Sequence, residues 1–134
     1  MKKKLIVMED DAFLKEFYSF VFNKIGYSAD LLEDGDLFFE KLNSEKYDLI
    51  IMDLSLKNTY YNGDKVNGII LSRMVKNNET LKHIPIVIVT AHSIDFQSKH
   101  LFNESLADDF IIKPISDVKL FIEKIDSMME KVTL

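Results

Sequence analysis

The chain has no cysteine in its 134 residues and only two prolines and four glycines. Without cysteine there is no disulfide framework, no thiolate nucleophile and no cysteine-based zinc site; such a composition suits the cytosol. Scarce Pro and Gly beside 47% apolar residues disfavour disorder. Long hydrophobic runs are absent too. The longest, around Ile84 to Ala91, is broken by Pro85 and is far short of the ~20 residues a membrane-spanning helix needs. Lys2, Lys3 and Lys4 are followed only by Leu5 to Met8 before Glu9, Asp10 and Asp11, too few for the ~7–15 apolar residues of a signal peptide. Nor is there a basic excess. Lys and Arg number 17 against 22 Asp and Glu, so the net charge is 17 − 22 = −5, where a nucleic-acid footprint needs clustered basic residues. These absences predict a soluble, cytoplasmic protein that contacts neither membrane nor nucleic acid directly. The length suits one domain and suffices to bury about two-thirds of the unfolded surface.

What is present alternates short apolar runs with amphipathic segments. Leu5 to Met8, Tyr47 to Met52 and Pro85 to Val89 are continuous apolar runs, the pattern of strands covered on both faces. Ser28 to Leu32 is a weaker strand, and Phe110 to Ile112 a fifth. Leu14, Phe17, Tyr18, Val21 and Ile25 recur at helical steps, and Gly26 ends that helix. Further helices are predicted from Asp34-Gly35-Asp36 onward, over Ile69 to Val75, over Ile94 to about Leu106, and over Ser116 to Val132, with Ser116 as a cap. Residues 54–67 read as a polar, turn-like loop containing Asn62-Gly63. Strict β-α alternation predicts a doubly wound parallel sheet, which places ligands at the carboxyl ends of the strands.

The polar residues that follow the strong strands are Glu9 and Asp10, Asp53, Thr90 and Lys113. If the first and third strands are neighbours, Glu9, Asp10 and Asp53 converge. Three carboxylates in one crevice raise their own pKa values unless a cation neutralises them, and Mg²⁺ with oxygen ligands fits. Asp53 is then placed as a carboxylate nucleophile toward phosphorus. Mg²⁺, the Lys113 ammonium and the Thr90 hydroxyl would stabilise the phosphoryl group. Singly, each acid reads as a cap or turn residue, Thr90 as a turn residue and Lys113 as a surface lysine; Asp11 is expected to cap the first helix.

These residues bring the sequence to a family. LIVMEDD at the first strand, YDLIIMDLSL around Asp53, PIVIVTA at the fourth and ADDFIIKP at the fifth together resemble a response-regulator receiver domain of two-component signalling. The resemblance runs from about Lys4 to Val132. It implies an α/β, three-layer, flavodoxin-like fold with a five-stranded parallel sheet in the order 2-1-3-4-5. Glu9 and Asp10 would form the acidic pocket for Mg²⁺. Asp53 would be phosphoacceptor and metal ligand, with the backbone carbonyl of Ser55 as a further contact to the ion. Thr90 and Lys113 would touch the phosphoryl group, and Thr90 with Phe110 would form the switch. The Lys113–Pro114 bond would be cis. The implied partners are a histidine kinase or histidine phosphotransferase, and an output protein or a second copy, met through the fourth helix, fifth strand and fifth helix. Residues 1–134 are expected to form a single receiver, core about 4–132, without an output domain. It would be a phosphoacceptor switch that assists its own phosphorylation and dephosphorylation rather than an enzyme.

Three positions depart from that family's pattern. Lys57 stands where a proline is usual. Gly68, which opens the third helix, lies 68 − 53 = 15 residues after Asp53, so the intervening loop is long. Leu106 replaces a glycine. The long loop reads most simply as a tolerated surface insertion, and alternatively as a lid or partner contact carried by Tyr60 and Tyr61. Phe13 and Phe20 flank the buried face of the first helix as boundary contacts or a weak docking patch. His83 and His100 read as surface residues, and His92 as a residue near the phosphoryl group. Two rival functions are weaker. A degenerate receiver acting as a constitutive binding module fits poorly with a complete acidic pocket. A haloacid-dehalogenase-type phosphatase would want Asp where Ser55 stands.

Overall fold

The computed structural model describes residues 2–91 and 99–132. In chain order its elements are β1 (Lys4–Met8), α1 (Ala12–Lys24), β2 (Ser28–Leu32), α2 (Gly35–Ser44), β3 (Leu49–Asp53), β4 (Thr59–Tyr61), β5 (Asp64–Val66), α3 (Gly68–Lys76), β6 (Ile86–Thr90), α4 (Lys99–Ser105), β7 (Asp109–Ile112) and α5 (Val118–Val132). Five strands pair in parallel in the order β2-β1-β3-β6-β7. Counting only strands of this sheet, that is the expected 2-1-3-4-5 of a flavodoxin-like doubly wound fold.

Strand geometry divides the apolar residues between two layers. Ile6, Met8, Ile50, Met52, Ile86 and Ile88 point to one face, where Phe38, Phe39 and Leu42 of α2 and Leu71 and Val75 of α3 cover them. Leu5, Val7, Leu49, Ile51, Val87 and Val89 point to the other, under Tyr18, Val21 and Phe22 of α1 and Phe121, Ile125 and Met129 of α5. Buried on both sides, β3 and β6, and β1 after its first residue Lys4, have no polar residue before their carboxyl ends. Helix ends are set locally. Asp11 accepts hydrogen bonds from the Phe13 and Leu14 amides and caps α1, and Gly26 leaves it at φ +84°.

The structure corrects the sequence at three places. Residues 59–66 are not irregular: β4 and β5 form an antiparallel hairpin with Tyr61 opposite Asp64. Asn62 and Gly63 make its turn, both at positive φ, as a type I′ turn requires. The α5 cap is Asp117, whose carboxylate accepts from the Leu120 amide, and not Ser116. Helix α4 does not include Leu106, which stands just beyond Ser105 at φ +60°. Here Leu106 takes the left-handed conformation that ends the helix without help from glycine. The expected start of that helix at Ile94, and His92, lie outside the described residues.

Candidate functional site

Register alone assembles the site. β1 and β3 pair with Met8 opposite Met52, so Glu9 emerges beside Asp53. β3 and β6 pair with Asp53 opposite Val89, which sets Thr90 one step beyond. β6 and β7 pair with Thr90 opposite Ile112, and the Lys113 amide donates to the Thr90 carbonyl at 2.7 Å. Four adjacent strands thus deliver the polar residues at the ends of their apolar runs to one edge of the sheet. The next peptide bond, Lys113–Pro114, is cis.

Glu9, Asp10 and Asp53 each present a carboxylate oxygen, and these oxygens all lie within 4.8 Å of one another. Glu9 and Asp53 are buried and Asp10 is half-buried. The Lys113 ammonium bridges the two buried acids, 3.0 Å from Glu9 Oε1 and 3.4 Å from Asp53 Oδ1. Burial pushes the Glu9 carboxyl up to about 7, helped by a hydrogen bond with Asp53 and by its charge, while Lys113 pulls the other way. For Lys113 itself, burial lowers the pKa, but the bond to Glu9 and the charges of Asp53 and Glu9 outweigh it and leave the ammonium above its ordinary value. One cation for three acids leaves this pocket short of positive charge.

Local backbone bonds fix the acids. The Asp10 amide donates to Glu9 Oε2 at 3.2 Å and the Ser55 amide to Asp53 Oδ1 at 3.2 Å. The Lys57 amide donates to Asp10 Oδ2 at 2.9 Å, a bond that the proline expected there has no N–H to make. Gly68 is obligatory behind Asp53: a Cβ at this position would collide with the Asp53 carbonyl. Thr90 is buried at the end of β6. Phe110 packs edge-on against Phe102 of α4, ring centroids 5.3 Å apart, with the Lys124 ammonium 5.5 Å over its ring.

Beyond Lys57 the long loop docks on α2 and the residues before it. Tyr61 packs on Phe39 at 4.9 Å between centroids, and the Thr59 hydroxyl donates to the Glu33 carbonyl at 3.0 Å. Tyr60, 47% exposed, faces solvent, whereas Tyr61 is packed on α2. The sequence reading missed Lys57 as a partner of Asp10 and Gly35 as the residue on which the hairpin rests. Neither has a motif; the Asn62-Gly63 turn was the only available signal.

The response regulator receiver domain profile matches residues 5–125. The chain belongs to the response regulator receiver domain family. This receiver is 33% identical over 128 residues to response regulator ArlR of Staphylococcus saprophyticus, covering 96% of this chain and 53% of that protein. It is 29% identical over 133 residues to the phosphate regulon transcriptional regulatory protein PhoB of Escherichia coli, covering 99% and 54%. The receiver therefore spans about half the length of these curated relatives. Among solved structures it superposes on the signal receiver domain of a signal transduction histidine kinase from Syntrophus aciditrophicus with a TM-score of 0.82 at 24% identity, covering 97% and 92%. The receiver domain of sensor histidine kinase PA1611 from Pseudomonas aeruginosa, solved with a magnesium ion coordinated in its active-site cleft, gives 0.81 at 18% identity, covering 97% and 99%. Among the described residues no helix is long and apolar enough to cross a membrane.

Proposed function

We propose that this receiver is a phosphorylation-dependent switch whose phosphoacceptor is Asp53. The observation that carries the reading is the convergence of Glu9, Asp10 and Asp53 within 4.8 Å, bridged by a single ammonium. An all-carboxylate donor set with an uncompensated charge suits a hard, oxygen-seeking cation, so the residues present fit Mg²⁺. Glu9, Asp10 and Asp53 would hold it, with the Ser55 carbonyl as a further ligand. When bound, the ion supplies charge neutralisation for the acids and the incoming phosphoryl oxygens.

The rest follows from the chain's own groups. One Asp53 oxygen attacks the phosphorus of a phosphohistidine on a histidine kinase or histidine phosphotransferase. The P–N bond breaks with its electron pair returning to the imidazole, and a P–O bond forms to give an acyl phosphate on Asp53. Lys113, already 3.4 Å from Asp53, follows the charge onto the phosphoryl group, and the Thr90 hydroxyl donates to a phosphoryl oxygen. That contact draws Thr90 and with it Phe110, whose ring is shared with α4 and α5. The face of α4, β7 and α5 is thereby biased toward an output partner or a second copy. We place the protein in the cytoplasm.

Incubation with Mg²⁺ and a small acyl-phosphate donor, followed by intact-mass measurement, should show one added phosphoryl group that Asp53→Asn abolishes. Wild-type protein that acquires no phosphoryl group, or a variant that acquires it equally, would refute Asp53 as acceptor.

A further inference from the structure

We propose that the β4–β5 hairpin braces the cation site, and that it does so through one backbone group, the N–H of Lys57. The proposal rests on the reading of Glu9, Asp10 and Asp53 as the Mg²⁺ site. Of these three acids Asp10 is the least enclosed, half-buried where the chain leaves β1. Without a tether its carboxylate would sample several rotamers. The Lys57 amide holds Oδ2 at 2.9 Å. A carboxylate has about four lone-pair sites, so the tethered group still has acceptor capacity to turn toward a cation.

The amide is itself held from both sides. Before it, Leu56 is buried in the core beneath α3. After it, the hairpin is docked on α2 and the turn before it at three points. The Thr59 hydroxyl reaches the Glu33 carbonyl at 3.0 Å, the Asn62 amide reaches Asp36 Oδ1 at 3.1 Å, and Tyr61 lies on Phe39. Gly35 makes this docking possible, because a Cβ there would sit 2.5 Å from the Tyr60 carbonyl oxygen. Lys57 thus lies in a short bend between two fixed points, the buried Leu56 before it and the docked hairpin that begins at Thr59. Its own ammonium has no ion pair among the described residues, and the bond to Asp10 is made by the main chain alone.

Groups that orient metal ligands from behind set affinity by about ten- to a hundredfold; this bond is exposed, so the lower end applies. Calorimetric Mg²⁺ titration of the full chain compares Lys57→Pro, which lacks the N–H, with Lys57→Ala, which keeps it. The alanine variant should bind as the wild type does, and the proline variant about tenfold more weakly. Proline also restricts the residue before it, here Leu56, so a second variant replaces Lys57 by its α-hydroxy-acid analogue, exchanging only N–H for an ester oxygen. It should reproduce the loss. Equal affinity in all variants while wild type binds Mg²⁺ overturns the brace and leaves the cation site standing. So does a loss confined to the proline variant, or one shared by Lys57→Ala. A folded wild type that binds no Mg²⁺ removes the cation reading and the brace together.

Discussion

Tyr18 is buried against the rings of Phe22 and Phe121, and its hydroxyl has no hydrogen-bond partner among the described residues. Burial, with the charges of Glu9 and Asp53 nearby, pushes its pKa far above the ordinary tyrosine value, so the group stays neutral and unsatisfied. An orphaned buried hydroxyl costs stability that its removal returns. Tyr18→Phe should therefore stabilise the fold by about 1 kcal/mol, read as a higher urea midpoint at unchanged slope; a lower midpoint would mean that the hydroxyl has a partner in solution. Leu106 carries a different burden. At φ +60° it holds a conformation that costs an L-residue with a Cβ roughly 1–2 kcal/mol, and it is 47% exposed. Little packing is lost on truncation, so Leu106→Gly should raise stability by about 1 kcal/mol in the same assay.

Among the elements, the hairpin is the one that local chemistry fixes most sharply. Gly63 stands at φ +83° with nothing within 4 Å of where a Cβ would go. Gly63→Ala therefore tests backbone strain alone and should cost about 1 kcal/mol in a denaturant melt. The strands and helices of the main sheet could be read because their apolar residues are continuous or helically spaced, as in Leu5 to Met8 and in Tyr18, Val21 and Phe22. β2, with every residue half-buried, was legible only as a weaker run. The hairpin escaped because Asp64-Lys65-Val66 is mostly polar and exposed, and a two-stranded ribbon has no apolar face of its own; its stability comes from Phe39 and the backbone around Glu33. The site acids could be listed from the ends of the strands, since β-α alternation fixes which edge carries ligands. What tethers Asp10 could not be, because the bond joins residues separated by 47 positions and depends on how an unrecognised element docks. Phe13, 84% exposed, and Phe20, 67% exposed, lie outside the buried face of α1 as their spacing suggested.

At the scale of the whole molecule, two apolar layers cover a sheet whose central strands β3 and β6 become polar only at their carboxyl ends. The acids there are buried and crowded together, which raises Glu9, and a cation that binds only the folded pocket must stabilise the entire fold. At a hundredfold excess of Mg²⁺ over its Kd the gain should be about 2.7 kcal/mol, visible as a rise in melting temperature. Glu9→Gln together with Asp53→Asn should erase that rise; a rise that survives in the double variant would place the ion elsewhere. The hairpin has one more consequence, and it is practical. Its second strand displays Lys65 to solvent, and the chain contains no cysteine. Lys65→Cys would therefore create a unique thiol on the element anchored beside Asp10. A fluorophore attached there reports, from a single labelled position and in real time, whether events at the carboxyl edge of the sheet reach the opposite strand of the hairpin.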